Sequence, residues 1–393
     1  MIRVGFMMAD RSDGWLGGVN YRRSLLQAIL MNPDRRIEPV LILSPSADER
    51  LFAEFPPVER FRAPIAEPGA RLRKVGKATR LLLGRDLPLE RFLRRHRIDV
   101  LSHSGALGRR SSVPSINWIP DFQHRRLPDY FPADERARRD ANYARMAAES
   151  TLMVLSSADA LGDLIGFAPE AADRSRVLHF VSGIDDAAEP PSADADAATL
   201  SRFAIDEPFF HLPNQFWAHK NHAVVIAALS HLKAAGAPVP LVLATGKTED
   251  ARDPAHFGRL MDAVRAGGIE DRFRPLGIVS HAELHALMRR SVALINPSYF
   301  EGWSSTVEEA KSFGKQILLA DIPVHREQAP PRGRFFDPDA PAALAAAMQE
   351  ALASNDPAAD AAAQAAARAS LPERARAFGA RFEAIVDEAL QKR

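Results

Sequence analysis

The sequence predicts an α/β protein with two domains. The chain has 393 residues, which exceeds the length that usually folds around a single hydrophobic core. Near the start, the apolar run Ile2 to Met8 is followed by a glycine-bearing loop and by a helix from about Val19 to Met31. A strand, a loop and a helix in this order open a Rossmann-like unit, and the pattern starts again at Phe209 to Leu212. We therefore expect two Rossmann-like α/β domains.

The domain boundaries follow from changes in composition. The strand Val177 to Val181 closes a first domain that we place at residues 1–186. Residues 187–204 are predicted to be a linker, because Ala, Pro, Asp and Ser dominate the segment from 187 to 198 and no apolar period is present. A second domain is expected over 205–370, followed by a charged C-terminal helix over 371–393.

Charge is balanced over the chain but not between its halves. The totals are 51 basic and 50 acidic residues, yet the first 180 residues hold 29 basic and 22 acidic ones. This asymmetry predicts different partners for the two domains. The chain has no cysteine, which excludes disulfides and thiolate metal sites and, with no signal peptide recognised, favours the cytoplasm. We see no apolar run of about 18 residues that would span a bilayer, so any membrane contact is expected to be peripheral.

The most informative stretch runs from Asn296 to Gly314. A short apolar strand stops at Pro297, and a helix is predicted from Thr306 to Phe313. Small polar residues and a glycine between the two elements offer amides and hydroxyls beside the positive end of a helix, which favours an anion. The carboxylates of Glu301 and Glu309 flank this turn and are suited to accept hydrogen bonds from hydroxyls. A sugar nucleotide presents phosphate and hydroxyls together.

These residues resemble the Glu-x7-Glu donor signature of the retaining glycosyltransferases of family 4, the glycosyl transferases group 1. The resemblance implies the GT-B fold, in which two Rossmann-like α/β domains face each other across a cleft. In that fold the terminal helix crosses back to the first domain, and the predicted helix over 371–393 is placed to do so. It also implies that Glu301 meets the hydroxyls of the transferred sugar and that Glu309 meets the nucleotide ribose. The residues between them would touch the distal phosphate: Gly302, Trp303, Ser304, Ser305 and Thr306. A glutamate pair at this spacing is also common in ordinary solvated helices.

The first loop of the second domain, Pro213 to His222, carries a second part of the resemblance. The family places an arginine here and a lysine five residues later, both on the donor pyrophosphate. Lys220 matches the lysine, whereas Gln215 stands where the arginine usually is, next to Asn214. The alternative for Lys220 is a solvated surface lysine. Metal binding by His219 and His222 is excluded, because the local sequence adds no carboxylate or third histidine.

Further donor contacts are implied at the ends of other predicted strands. Gly246 lies where the family often has a glycine loop below the nucleotide, and the backbone at Ile278 and Val279 would contact the base. Ser280 is predicted to cap a helix with Glu283 three residues later. Gly17 and Gly18 resemble the paired glycines of the first domain that approach the donor phosphates, although a plain turn before a helix is the alternative.

Asp121 and His124 follow the predicted strand Ser115 to Ile119. Many family members carry His-Asp at about this place, but Pro120 occupies the position of that histidine, so only Asp121 matches directly. His124 is the candidate to replace the missing ring, and the alternative is a structural histidine. We predict catalytic roles for Glu301, Lys220, His124 and Asp121.

The segment 71–97 is strongly basic, with ten Lys and Arg residues against Asp86 and Glu90, and leucines lie between them. Basic helices with interleaved apolar residues lie on anionic membrane surfaces. The alternative is a solvated helix face. Nucleic acid is not expected, because no aromatic stacking platform accompanies the charge.

Together these features predict a hexosyltransferase-like enzyme. It would move a sugar, with retention of configuration, from a nucleotide-diphosphate sugar to a hydroxyl of a glycan or lipid-linked acceptor in surface polysaccharide synthesis. No cofactor or catalytic metal is expected, because Lys220 and helix-end amides would neutralise the leaving pyrophosphate. The alternatives are a GT-B sugar-nucleotide epimerase and a non-catalytic partner subunit, and the second is favoured by Gln215.

Overall fold

The computed structural model describes residues 1–8, 16–184 and 192–392. They form two compact units. The first unit comprises Met1–Phe122, Ala133–Ile184 and Pro372–Arg393, and the second comprises Gln123–Pro132 and Asp185–Leu371. The described first unit thus resembles the predicted first domain, but it takes in the end of the C-terminal helix and gives up the segment 123–132.

The first unit is built on a seven-stranded sheet in the order β3-β2-β1-β4-β5-β6-β7, in which all neighbouring strands are parallel. The order reverses between β1 and β4. In open parallel sheets, ligands bind outside the carboxyl ends of the strands at such a reversal. The strands are β1 Ile2–Met8, β2 Ile37–Leu43, β3 Glu59–Arg62, β4 Val100–Ser102, β5 Ser115–Ile119, β6 Leu152–Leu155 and β7 Ser175–Val177.

The second unit has a six-stranded parallel sheet in the order β10-β9-β8-β11-β12-β13. Its order reverses between β8 and β11. The strands are β8 Phe209–Leu212, β9 Leu241–Thr245, β10 Phe273–Gly277, β11 Leu294–Asn296, β12 Ile317–Ala320 and β13 Gly333–Phe336.

α-Helices connect most neighbouring strands along the chain, whereas β2 is joined to β3 through a short 3-10 helix and β4 to β5 without a helix. Strands β8, β9, β11 and β12 are buried along their whole length, as expected for parallel strands covered on both faces. The two sheets with interleaved helices confirm the predicted α/β fold. The helices are α1 Leu16–Leu30, α2 Arg71–Leu83, α3 Leu87–Arg95, α4 Gln123–Arg126, α5 Ala133–Glu149, α6 Ala158–Phe167, α7 Ala193–Arg202, α8 His222–Ala234, α9 His256–Gly267, α10 His281–Arg290, α11 Ser305–Ser312, α12 Pro323–Gln328, α13 Pro341–Ala353 and α14 Pro357–Gln391.

The prediction of a linker over 187–204 is wrong for most of the residues from 192 to 204 that the structure describes, because helix α7 occupies 193–202. Ser192 caps this helix by accepting a hydrogen bond from the Ala195 amide at 3.2 Å. The carboxylate of Asp196 is buried and pairs with Arg289 of α10 at 2.6 Å. A cap and a buried ion pair therefore fix a segment whose composition is typical of a linker. Residues 187–191 of the predicted linker lie outside the described residues.

Two predicted element ends also differ from the structure. Helix α1 begins at Leu16 rather than near Val19, so Gly17 and Gly18 lie in its first turn and not in the loop before it. Strand β7 covers Ser175–Val177 rather than Val177 to Val181. After Leu178 donates its amide to the Leu155 carbonyl at 2.9 Å, the chain leaves the sheet edge.

The end of the chain forms one helix of 35 residues, α14, with Pro372 inside it. Residues up to Leu371 belong to the second unit and those from Pro372 to the first, so the prediction that the C-terminal helix returns to the first domain agrees with the structure. Phe382 packs on Phe6 of β1, and Arg36 donates to Glu383 at 2.9 Å.

Candidate active site

Two loops meet at the strand reversal of the second sheet. One follows β8 and carries Lys220, and the other follows β11 and carries Glu301. The Tyr299 amide donates to the His219 carbonyl at 2.9 Å and joins the loops directly. Residues 81 positions apart thereby become neighbours at the edge of the sheet where ligands are expected.

Lys220 and Glu301 form an ion pair between these loops, with 2.6 Å between Nζ and Oε1. The side chains are only 14% and 10% exposed. Burial raises the pKa of the Glu301 carboxyl, but the charge and hydrogen bond of Lys220 outweigh it and leave that pKa below its ordinary value. Glu301 is therefore ionised at neutral pH, and Lys220 is not a solvated surface lysine.

The position of Lys220 is set by a short 3-10 turn, Ala218–Lys220, and by Asn221 behind it. Asn221 has a left-handed backbone with φ +52°, a conformation that asparagine tolerates better than most residues. Its side-chain amide donates to the carbonyls of Pro297 at 3.3 Å and Pro338 at 2.9 Å. These hydrogen bonds hold the turn to the loop that follows β11, and the backbone of the turn thereby positions the Lys220 side chain.

Buried polar side chains form a hydrogen-bond network that holds the Glu301 carboxylate in place. Ser298 donates its hydroxyl, at 2.7 Å in each case, toward Glu301 Oε1 and Asn296 Oδ1. The Asn296 amide donates to Ser304 Oγ at 2.7 Å, and Asn214 donates to Asn296 Oδ1 at 3.3 Å. The predicted residues Asn214, Glu301 and Ser304 therefore belong to one network, with Asn296 and Ser298 as its centre.

Helix α11 begins directly after Ser304, whose hydroxyl accepts the Val307 amide at 3.4 Å. Gln328 of α12 holds Ser304 from both sides. Its amide oxygen accepts the Ser304 N–H at 3.1 Å, and its nitrogen donates to the Ser304 carbonyl at 3.0 Å. Within the predicted phosphate-contacting group, Ser305 is exposed, Gly302 is half-buried, and Trp303 and Thr306 are buried.

The two adjacent glutamates of α11 have different surroundings. Glu308 is 1% exposed and accepts hydrogen bonds from Lys311 at 2.9 Å and Gln328 at 3.1 Å. Glu309, the second member of the predicted pair, is half-buried on the neighbouring side of the helix. Glu308 therefore has a structural role, and the ligand role of Glu309 stays a prediction.

Gln215 uses its side chain to hold the loop after β9. Its Oε1 accepts the Lys247 amide at 3.1 Å. Between the two loops, Gly246 has φ +138°, and a Cβ added there would lie 2.6 Å from the Asn214 carbonyl oxygen. Only glycine fits this approach, so Gly246 positions the Asn214 loop.

The remaining predicted base contacts lie after β10. Ile278 is 78% exposed and Val279 is half-buried. The predicted cap of the next helix is confirmed, because Ser280 and Glu283 form a reciprocal capping box at the start of α10.

The predicted site residues of the first half of the sequence are Gly17, Gly18, Asp121 and His124. Gly17 is exposed and Gly18 is buried in the first turn of α1, where backbone amides lack helical acceptors. Asp121 is half-buried beyond the end of β5 in the first unit. His124 is only 1% exposed and lies in the short helix α4 of the second unit, with its ring edge-to-face against Phe131. The catalytic roles of Asp121 and His124 stay predictions.

Several histidines near the two loops are buried and neutral. Burial lowers the pKa of His219 to about 3, with the charge of Lys220 adding to the effect. His325 of α12 is fully buried, with Nδ1 2.8 Å from the Ala320 carbonyl oxygen, so Nδ1 carries the proton and Nε2 presents a lone pair. Among residues 1–8, 16–184 and 192–392, no group of three or more His, Asp or Glu side chains is placed to hold a metal ion.

Sequence reasoning missed Ser298, Asn296 and Gln328 as parts of the site. The first two lie inside the central motif, where a polar pair at a buried strand end was the available signal. Gln328 lies 24 residues after the serine that it holds, and no local pattern indicates that contact.

Comparison with known proteins identifies a family whose model matches the second half of the chain. Residues 201–368 match the family model described as Glycosyl transferases group 1. A search of curated proteins finds no match. The matched range contains the second sheet, the Lys220–Glu301 pair and helix α11.

Solved structures of similar fold cover nearly the whole chain. A glycosyltransferase from Rickettsia africae aligns over 99% of this chain and 98% of its own, with 14% identity and a TM-score of 0.70. Anabaena HepE in complex with UDP and glucose aligns over 100% and 98%, with 15% identity and a TM-score of 0.64. WaaG, a glycosyltransferase involved in lipopolysaccharide biosynthesis, aligns over 96% and 95%, with 14% identity and a TM-score of 0.59. The predicted GT-B fold of two Rossmann-like domains is confirmed.

Proposed function

We propose that the protein is a retaining glycosyltransferase of family 4. It transfers a sugar from a nucleotide-diphosphate sugar to a hydroxyl of a glycan or lipid-linked acceptor in surface polysaccharide synthesis. The observation that carries this proposal is the buried Lys220–Glu301 pair at the strand reversal of the second sheet. It lies within the range that matches Glycosyl transferases group 1, and the structurally similar HepE binds UDP and glucose.

In this proposal the second unit holds the donor. Lys220 and the free amides at the start of α11 stabilise the negative charge that develops on the leaving pyrophosphate. Glu301 accepts hydrogen bonds from the sugar hydroxyls, and Glu309 accepts them from the ribose. Retention of configuration and these hydroxyl assignments are supported by the resemblance of the motif. No cofactor or catalytic metal is proposed, because Lys220 and the amides at the start of α11 would neutralise the charge of the leaving pyrophosphate.

The ion pair itself suits this role. In the structure Lys220 is bound to Glu301, and a diphosphate would offer the ammonium group a more highly charged partner. Release of Lys220 would free Glu301 Oε1 for a sugar hydroxyl, while the Ser298 hydroxyl keeps the carboxylate oriented. Donor binding would then exchange one internal ion pair for two contacts with the ligand.

A non-catalytic partner subunit is the second candidate, and the observation that favours it is Gln215. Where the family's arginine would supply a cation, Gln215 accepts a backbone hydrogen bond from Lys247. A sugar-nucleotide epimerase of the same fold would use the same donor site without an acceptor.

One assay separates these candidates. The protein is incubated with UDP-, GDP-, ADP- and TDP-linked hexoses, with and without a lipid extract as acceptor source. A transferase releases free nucleoside diphosphate only when acceptor is present, and NMR of the product gives the anomeric configuration. A nucleotide sugar with altered configuration indicates an epimerase, and no turnover of any donor contradicts the proposal.

We further propose that the first unit contacts the inner face of an anionic membrane through residues 71–97. Helix α2 contains five basic residues and no acidic one. Val75, Leu81 and Leu82 on the same helix are 50%, 75% and 83% exposed. Exposed apolar side chains flanked by lysines and arginines are typical of helices that lie in the lipid interface. No helix in the described part of the chain is long and apolar enough to cross a membrane.

A further inference from the structure

A cavity of about 320 Å³ opens at the carboxyl edge of the first sheet. Met7 of β1 and the residues after β4, His103 and Ser104, line one side of it. Strands β1 and β4 are the neighbours between which the strand order reverses. The cavity therefore occupies in the first unit the topological position that the Lys220–Glu301 pair occupies in the second.

Two arginines from separate helices complete the lining, Arg22 of α1 and Arg73 of α2. Arg22 donates its Nε to the Gly18 carbonyl at 3.1 Å, which fixes the start of its side chain. Arg73 is half-buried and makes no ion pair with any residue that the structure describes. The charge of Arg73 acts on the carboxylate of Asp86. That carboxylate is buried and accepts a hydrogen bond from the Leu89 amide at 3.1 Å. The cation of Arg73 thus lacks a salt bridge that would neutralise it.

The floor of the cavity is polar and rigid. His103 has φ +56°, an unusual backbone for this residue type, and its ring is hydrogen-bonded on both nitrogens. The partners are Tyr21 Oη at 2.9 Å and Ser102 Oγ at 2.7 Å. Ser104 accepts the Met7 amide at 2.7 Å and donates to the Ser102 carbonyl at 2.6 Å. Strained residues held by such networks gather at ligand sites.

The charge of the cavity comes from the arginines and not from the histidine. Burial, followed by the charge of Arg22, lowers the pKa of His103 to about 3, so the ring is neutral at physiological pH. The ring is also fully occupied by its two hydroxyl partners, which makes it a poor base. The cavity accordingly offers recognition of an anion rather than proton transfer.

We propose that this cavity binds the phosphate of a phosphorylated acceptor, a sugar phosphate or the phosphate of a lipid-linked glycan. The guanidinium group of Arg73 can contact two phosphate oxygens, Arg22 adds positive charge to the same cavity, and the volume is at the lower end of the range for small-ligand sites. This inference rests on the proposed transferase function and adds a class of acceptor to it. Because the donor also carries phosphate, the test must distinguish the two sources.

Calorimetry provides that test, with glucose 1-phosphate as the probe and methyl glucoside as its uncharged counterpart. Saturating UDP is present to fill the donor site. The wild-type protein is expected to bind glucose 1-phosphate at least tenfold more tightly than methyl glucoside. Arg73→Gln is expected to lose at least tenfold in affinity for the phosphorylated probe only, and Arg73→Lys, which keeps the charge without the planar fork, is expected to lie between.

Lys77→Gln is the matched control, because Lys77 lies one turn away on the same helix, is exposed and does not line the cavity. Equal affinity for both probes, no binding of glucose 1-phosphate, or an unchanged Arg73→Gln would overturn the inference. Glucose 1-phosphate is also titrated without UDP. Binding that is seen without UDP and lost in its presence would overturn the inference too, because the phosphate site would then belong to the donor. UDP binding is measured in the same series, so a failure of the donor site is seen separately.

Discussion

At the scale of single residues, the candidate site depends on a buried pair of opposite charges. Removing one partner of a buried pair leaves an uncompensated charge and costs roughly 3–5 kcal/mol of stability, whereas replacing both is often nearly neutral. Lys220 and Glu301 are such a pair, and the Ser298 hydroxyl, which also contacts Asn296 Oδ1, lies within hydrogen-bond distance of Glu301 Oε1. Single substitutions here therefore mix effects on folding with effects on function.

The adjacent glutamates of α11 allow a cleaner test. Glu309→Gln is expected to weaken nucleoside diphosphate binding by about 1.5–3 kcal/mol, the contribution of a hydrogen bond to a charged group, in a protein that stays folded. Glu308→Gln, next to it, is expected to lower the melting temperature, because the Glu308 carboxylate is buried between Lys311 and Gln328. Calorimetry and thermal unfolding of both variants check this. If Glu308→Gln weakened nucleoside diphosphate binding and Glu309→Gln left it unchanged, our assignment of the two glutamates would be reversed.

Gln215→Arg tests the missing cation. An arginine fork can contact a phosphate at two oxygens, so we expect tighter binding of UDP or another nucleoside diphosphate, by about tenfold if one charge-assisted contact forms. The substitution also removes the hydrogen bond from the Lys247 amide, for which Gln215→Ala is the control. If Gln215→Arg binds no better than Gln215→Ala, Gln215 does not occupy a phosphate-facing position.

At this scale the sequence predicted the charged groups but not their supports. Lys220, Glu301 and Asn214 are found together because each follows a strand whose end is readable from its apolar run. Gln328 was not predicted, since its contact with Ser304 depends on how α12 packs against α11. The burial of His124 was likewise not predicted, because the sequence pattern indicated only a loop after a strand at this position.

At the scale of elements, helix α2 is the part of the first unit whose solvent-facing side chains are least typical of a soluble surface. Its packed side holds Gly76, where an added Cβ would lie 2.4 Å from Asp86 Oδ1, and Arg80, which donates to the Ala106 carbonyl at 3.1 Å. The apolar Val75, Leu81 and Leu82 are left outside this contact. Burying them requires a partner, for which we propose lipid.

Vesicle sedimentation tests this proposal. The protein is expected to bind anionic vesicles more strongly than neutral ones, and salt is expected to weaken the binding, since the Debye length falls from about 10 Å at 0.1 M to about 3 Å at 1 M. Each Lys or Arg near the surface contributes about 1 kcal/mol. Leu81→Ser with Leu82→Ser should reduce binding, whereas Ile165→Ser, at a residue of α6 that is 43% exposed, should not. Equal binding to both vesicle types, or none, would make α2 an ordinary solvated helix.

Helix α14 makes a second element-scale prediction. A Cβ at Gly379 would lie 2.4 Å from the Ala28 carbonyl oxygen of α1, and neither backbone can easily move away. Gly379→Ala is therefore expected to destabilise the protein by about 1–3 kcal/mol, the usual cost of overpacking. Gly162→Ala in α6, where the added atom meets open space, is expected to stabilise it by up to about 1 kcal/mol because alanine is the better helix former. Chemical denaturation measures both, and equal effects of the two would contradict the close approach.

Element prediction failed where tertiary contacts override composition. Helix α7 was predicted as linker from its Ala, Pro, Asp and Ser content, although Ser192 followed by acidic residues is a readable helix start. What fixes it is the Asp196–Arg289 pair, whose members are 93 residues apart. The long apolar strands, by contrast, were predictable because burial on both faces leaves an uninterrupted pattern.

At the scale of the whole molecule, each unit places its candidate ligand site at the reversal of its own sheet. The second unit offers a lysine, an internal ion pair and a helix start, and the first offers two arginines over a polar floor. Charge asymmetry between the halves of the sequence predicted different partners for them, with 29 basic residues among the first 180. The two sheets were predictable from strand and loop order, and the GT-B resemblance implied that the terminal helix returns to the first domain. That α14 is one continuous helix, which passes from the second unit to the first at Pro372, required the structure.

We propose that the Lys220–Glu301 site binds the diphosphate of a sugar nucleotide, and calorimetry on a double variant tests this proposal. The double variant Lys220→Gln with Glu301→Gln removes both buried charges together, so the protein is expected to stay folded. Wild-type protein is expected to bind UDP, or another nucleoside diphosphate of a small panel, at least 100-fold more tightly than the variant, a difference of about 3 kcal/mol.

The matched control is Asp262→Asn with Arg265→Gln, which removes an exposed ion pair from α9 of the same unit and is expected to bind like wild type. We expect tight binding by wild type and control and its loss in the Lys220–Glu301 double variant. Undiminished binding by a folded double variant, or no binding of any nucleoside diphosphate by the wild type, would contradict it.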